Sequence, residues 1–163
     1  MRRCRKYNEI TVRYPLAAAK AFSTLHPDEP FTFVHVTGEG ATQTPGMFTA
    51  QYGRVKGQIE QALFEFGRAN PNLKLYNVRP GVVDWRNHPE IHPFVPIEVL
   101  PKYRKVLLAP IAGVWKNMMT PTRPMGKVFT ELAMSKGEPL EGNDVQMEGR
   151  VLPNTAIRRL AGI

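Results

Sequence analysis

A chain of 163 residues with a net charge of +8 and a single cysteine is long enough for one domain with its own core, and it cannot form an internal disulfide. Its longest apolar run, Val106 to Trp115, is interrupted by Pro110 and falls well short of the roughly 20 residues a membrane span needs. The basic start, Met1-Arg2-Arg3-Cys4-Arg5-Lys6, leads into Tyr7-Asn8-Glu9 and not into the apolar stretch of a secretory leader.

The remaining basic residues are scattered and form no aromatic-interleaved stripe, so the charge reads as solvated surface and not as a nucleic-acid footprint. These observations predict a cytoplasmic protein with neither a membrane nor a nucleic-acid partner.

The first predicted helix runs from Tyr14 to Leu25. It is rich in alanine, carries Pro15 in its first turn, and marks one face with Leu16, Ala19, Phe22 and Leu25. His26-Pro27-Asp28 ends it. Phe31 to Val36 is short, aromatic and β-branched, which predicts a buried strand. Thr37 to Gly46 reads as a loop.

The strongest helix signal covers Phe48 to Ala69, where Phe48, Tyr52, Val55, Ile59, Leu63 and Phe66 recur at helical spacing. Asn70-Pro71-Asn72 stops it, and Leu73 to Val78 reads as the next strand. Strand, helix and strand at this spacing predict a βαβ unit with parallel strands. From Gly81 to Pro121 repeated prolines break the chain into short pieces without a clear pattern. Arg123 to Lys136 reads as an amphipathic helix, with Phe129 and Met134 assigned to the core, and Asn154 to Leu160 as a last short helix.

Inside the long helix, Tyr52 and Lys56 are four residues apart and share a face. A phenol beside an ammonium is a tunable acid, because the positive charge favours phenolate. On its own the pair reads as part of an apolar stripe and a solvated lysine. Its context is more specific. The preceding strand ends in Phe33-Val34-His35-Val36-Thr37-Gly38-Glu39-Gly40. The following one ends in Asn77-Val78-Arg79-Pro80-Gly81-Val82-Val83.

With Tyr52-Gly53-Arg54-Val55-Lys56-Gly57 between them, these segments resemble the short-chain dehydrogenase/reductase superfamily. The nearest likeness is to its extended and atypical members of the NAD-dependent epimerase/dehydratase-like type. The resemblance covers roughly residues 14–160 and corresponds to the second half of such a protein. It implies an α/β fold with a Rossmann-like parallel sheet and flanking helices, lacking the N-terminal βαβ units. Residues 1–163 would then form a single partial NAD(P)-binding domain.

The implied activity is that of an NAD(P)-dependent oxidoreductase or epimerase-like protein acting on a carbonyl or secondary alcohol of a small-molecule substrate. The resemblance makes Tyr52 the general acid/base and Lys56 its support, hydrogen-bonded to the nicotinamide ribose. Thr37 is the best candidate for the hydroxyl that orients the substrate oxygen, with Thr42 as a fallback. Pro80, Gly81 and Val83 would border the nicotinamide of a bound NAD or NADP. The alternative is a non-catalytic binding or regulatory module of the same fold.

A dinucleotide site of this kind needs a glycine-rich turn that brings backbone N–H groups to the pyrophosphate. No G-x-G-x-x-G occurs, and Gly38-Glu39-Gly40 has two glycines and opens a long loop. The expectation is therefore a truncated domain, weakly stable alone unless it pairs with itself as a homo-oligomer or with another chain.

Other candidates read as structural. Glu39 is expected to be a loop carboxylate and His35 a core or interface residue. His88 and His92 are four apart around Glu90, but Pro89 and Pro93 disfavour the uninterrupted helix that would align them on a metal. These residues are expected in a loop beyond the strand end, where such folds place substrate contacts, while Trp85 and Trp115 line a pocket or cover the core.

Overall fold

The computed structural model describes residues 2–25, 29–95 and 116–163. The Val106–Trp115 run and the His26-Pro27-Asp28 helix stop lie outside the described residues. The chain is α/β, with a small parallel sheet and helices on both of its faces.

It begins with α1 (Arg2–Asn8), a π-helical turn (Glu9–Arg13) and α2 (Tyr14–Phe22), which follow one another without a break. No apolar period predicts helix before Tyr14, and Ile10, Thr11 and Val12 are β-branched. The segment is helical because Val12 and Leu16 pack on the core beneath α3. Tertiary packing here overrides a weak local preference. Next come β1 (Phe31–Val36), α3 (Gln51–Ala69) and β2 (Leu73–Val78).

β1 and β2 pair in parallel, from Phe31 opposite Leu73 to Val36 opposite Val78, so the predicted βαβ unit is present. β5 (Val151–Leu152) adds to the far side of β2, also in parallel, at Asn77 and Val78. The order is β1-β2-β5. β1 is an edge strand among the described residues, which fits its half-buried side chains beside the almost fully buried β2.

The middle of the chain supplies a second, two-stranded parallel sheet, β3 (Val82–Asp84) with β4 (Met119–Pro121), and a 3-10 turn at Pro89–Phe94. α4 (Thr122–Met134) and α5 (Asn154–Leu160) complete the described fold.

The alternation along β2 sorts the core into two layers. Leu73 and Leu75 face α2 and α3, where Ala19, Ile59 and Leu63 are buried with them. Tyr76 and Val78 face α4 and α5, against Val128, Leu132, Leu152, Ala156 and Ile157. Ile59 and Leu63 are fully buried, and each burial of that kind contributes about 1.5–3 kcal/mol.

The apolar assignments hold where a second layer exists and fail at element ends. Phe48 lies outside α3, which starts at Gln51, and is 93% exposed. Met134, at the last residue of α4, is 82% exposed and not core. Leu25 lies past the end of α2 and is exposed. Among the described residues no helix is long and apolar enough to cross a membrane.

Candidate active site

The parallel strands point their C-terminal ends the same way, and the loops that leave them meet the first turns of α3. β1 runs into Thr37-Gly38-Glu39-Gly40, β2 into Arg79-Pro80-Gly81, and β5 into Pro153-Asn154. The Glu39 amide donates to the Pro80 carbonyl at 3.1 Å and joins the first two loops.

Tyr52 and Lys56 project from the first two turns of α3 against the same turn of the chain. The Lys56 ammonium donates to the Thr37 carbonyl at 2.5 Å. A β-carbon placed on Gly38 would lie 3.1 Å from Lys56 Nζ, and one placed on Gly40 would lie 2.5 Å from Tyr52 Oη. The phenol thus lies over Gly40, whose φ of +85° suits glycine, and Tyr52 stays 48% exposed.

Two further glycines bring this turn down onto the helix. β-Carbons on Gly53 and Gly57 would collide with the carbonyl oxygens of Gly40 and Thr42 respectively. The Thr42 amide accordingly reaches the Gly53 carbonyl at 3.2 Å.

The other predicted site residues are placed as follows. Thr37 is buried, and its hydroxyl donates to Glu60 Oε1 at 2.5 Å, so the side chain is committed to the interior and only its carbonyl serves Lys56. Thr42 Oγ1 accepts from the Thr44 amide. Pro80 is buried, the Gly81 amide donates to Thr120 Oγ1 at 2.9 Å, and Val83 on β3 is 40% exposed.

Glu39 is the expected loop carboxylate, and it also accepts from the Asn154 amide at the start of α5, 2.5 Å away. There it faces a helix N-terminus, a favourable place for negative charge. Asn154 in turn accepts from Thr120 and donates to the Asn117 carbonyl, tying β4 to the strand ends.

His88 and Glu90 come within 3.9 Å of each other, but the histidines are engaged elsewhere. His88 bonds Thr122 Oγ1, His92 bonds the Trp85 carbonyl, and Glu90 pairs with Arg123. Trp85 packs edge-on against His92 at 5.3 Å. His35 bonds Asn77 at 3.0 Å, and burial holds its imidazole below the usual histidine range.

A buried ion pair beneath the turn carries most of the polar structure, and sequence reasoning missed it. Glu60 is fully buried on α3 and Arg79 is 5% exposed at the end of β2. Arg79 forks onto both carboxylate oxygens, at 2.9 and 2.5 Å. Gln43 donates to Glu60 Oε2 and accepts from Arg79, and Gln146 accepts from the same guanidinium. The available signal was spacing: Tyr52, Lys56 and Glu60 follow at intervals of four along one line of the helix. An acid there lies inside the otherwise apolar stripe and needs a cationic partner.

Lys56 Nζ and the Pro80 carbonyl oxygen both approach Gly38 at the strand ends, where the resemblance would put a nicotinamide ribose. Among the described residues, five amides of the loop after β1 are already used and offer nothing to a pyrophosphate: Glu39 on Pro80, Ala41 on Gly38, Thr42 on Gly53, Thr44 on Thr42 Oγ1 and Gly46 on Thr49 Oγ1.

Two fungal biosynthesis-cluster proteins are similar over nearly the whole chain. Botcinic acid biosynthesis cluster B protein 16 of Botryotinia fuckeliana (strain B05.10) is 37% identical over 155 residues, covering 91% of this chain and 98% of that protein. Leucinostatins biosynthesis cluster protein T of Purpureocillium lilacinum is 24% identical over 176 residues, covering 94% of this chain, while the chain spans 63% of that protein's length. No family model matches the sequence and no solved structure matches it. At 37% identity over almost the full length of both chains, this protein belongs to the family of botcinic acid biosynthesis cluster B protein 16.

Proposed function

We propose that this chain is a Rossmann-like, NAD(P)-dependent oxidoreductase or epimerase-like protein in which Tyr52 and Lys56 carry the proton transfer. Its substrate is a carbonyl or secondary alcohol on a small molecule made by a biosynthetic gene cluster. The observation that carries the reading is the placement of Tyr52 and Lys56. Both lie against one turn at the C-terminal end of β1, the phenol exposed and the ammonium fixed on the Thr37 carbonyl.

In this reading the Tyr52 hydroxyl exchanges a proton with the substrate oxygen, and Lys56 stands on the same helix face one turn along. The relatives' names, which place them in botcinic acid and leucinostatin biosynthesis clusters, agree with a role on such molecules. The hydride would be supplied by NAD(P)H held weakly, because several amides of the loop after β1 are already used within the chain.

A second reading, a non-catalytic module of the same fold, is favoured by the Thr37 hydroxyl being held by Glu60. Carbonyl reduction decides between them, followed as NADPH or NADH consumption with the cofactor in millimolar excess and a panel of aliphatic ketones. Tyr52→Phe is expected to lower turnover about 100-fold or more with folding unchanged. Turnover unaffected by that change, or no turnover with any ketone, would remove the catalytic reading.

A further inference from the structure

We infer that the opposite end of the sheet carries a second site, a cavity that binds a small oxyanion. It lies between the last turns of α3, the first half of β2 and the turn before β5, and holds about 140 Å³. Lys56 and Arg68 are twelve residues apart on α3, which at 1.5 Å per residue sets this cavity about 18 Å from the Tyr52–Lys56 end. It is independent of the proposed proton-transfer function.

The charge is lopsided. Arg68, Lys74 and Arg150 line the cavity against a single carboxylate, Glu148, which leaves an excess of two positive charges. Lys74 forms no ion pair among the described residues, and its aliphatic stem lies against Gly137. Arg150 is fixed by a 2.7 Å bond to the Gly137 carbonyl and by stacking on the Tyr76 ring, with further N–H groups left to donate.

A backbone donor joins them. Along β2 the amides of Asn77 and Arg79 reach the β5 side, to the carbonyls of Arg150 and Leu152. Alternation turns the Leu75 amide to the same side, where β5 has not yet begun and the cavity opens instead. Phe64, Leu73 and Pro139 form apolar walls, so the cavity suits a carboxylate or phosphate on a small apolar body.

The turn that brings Glu148 to the rim is strained. Met147, Glu148 and Gly149 are consecutive left-handed residues, with φ of 50°, 56° and 78°. Paired Gln146 and Val151 backbones clamp it at 2.9 and 3.0 Å. Strain of this kind persists where the surroundings hold it and collects at ligand clamps. Here it sets Glu148 3.9 Å from Arg68, both 68% exposed, a loose pair that an incoming anion can displace.

The test is an amide NMR titration of the full chain at constant ionic strength, with inorganic phosphate in one arm and hexanoate in the other. Saturable shifts at Gly67, Leu75 and Gly149 in either arm support the site. The tighter arm tells a phosphate ester from an organic acid. Lys74→Gln is expected to weaken binding about tenfold, and Glu148→Gln, at an exposed position that does not threaten folding, to tighten it. The inference fails if neither anion gives saturable shifts at tens of millimolar, if Lys74→Gln leaves the affinity unchanged, or if Glu148→Gln weakens it.

Discussion

Glu60→Gln should cost far more stability than a change of one atom suggests. The Glu60 carboxylate is fully buried and accepts from Thr37, from Gln43 and twice from Arg79. A glutamine there keeps one acceptor oxygen and turns an amide donor toward the donors that Oε2 now satisfies. It also leaves the Arg79 guanidinium, 5% exposed, without a counter-charge. Breaking a buried pair from one side costs about 3–5 kcal/mol. Domains of this size are stable by about 5–15 kcal/mol, so the loss is a large share of the whole.

Urea unfolding followed by circular dichroism reads this as a lower midpoint at unchanged slope. The double variant Glu60→Leu/Arg79→Met separates two explanations. If the singles suffer mainly from an orphaned charge, the double should be less destabilised than their sum by about 2–3 kcal/mol. A Glu60→Gln loss under about 1 kcal/mol, or full additivity in the double, would refute the view that this pair holds the loop to the sheet.

Further outcomes follow from the same packing. Burial lowers the His35 pKa, against the raising effect of its Asn77 hydrogen bond and the Glu60 charge, with Lys56 lowering it further. The unfolded chain therefore takes up a proton near pH 6.5 that the folded chain refuses, so His35 contributes stability above that pH which is lost as pH falls toward its folded value. The wild type should lose stability below pH 6.5 more steeply than His35→Gln in parallel urea titrations, and equal slopes would contradict the assignment. Gly57→Ala drives a β-carbon into the Thr42 carbonyl and should cost about 1–3 kcal/mol. Gly126→Ala, with nothing within 4 Å, should instead raise stability by up to about 1 kcal/mol, and thermal midpoints moving the same way in both would count against the packing described.

The βαβ unit was legible because each of its parts satisfies a local rule that the core then uses. The stripe Val55, Ile59, Leu63 repeats at helical spacing and meets Leu73 and Leu75 at strand spacing. The remaining elements have no such signature. β5 is two residues long and exists because Val151 and Leu152 fill the flank of β2, which no pattern of two residues can announce. β3 and β4 pair across a stretch of chain in which prolines erase periodicity. α1 is basic and unpatterned, and the packing that keeps the helix going comes from Val12 and Leu16, later in the chain. Phe48 and Met134 were misplaced for a related reason. A spacing rule continues past the point where the layer it faces has ended.

At the site, spacing located the Tyr52–Lys56 pair but could not say what Thr37 does. That residue has two polar groups pointing two ways. Its carbonyl holds the Lys56 ammonium and its hydroxyl holds the Glu60 carboxylate, which holds Arg79 at the end of β2. The Tyr52–Lys56 pair and the buried ion pair are therefore connected through one residue, with Lys56 and Glu60 one turn apart on α3. A resemblance carried by residue type assigns a threonine at this position to the substrate. The side chain's direction assigns it to the fold, and leaves its backbone to position the lysine. The consequence is that loosening the Glu60–Arg79 pair should free the Thr37 carbonyl and, with it, the Lys56 ammonium, so that the placement of the candidate site depends on charges buried beneath it.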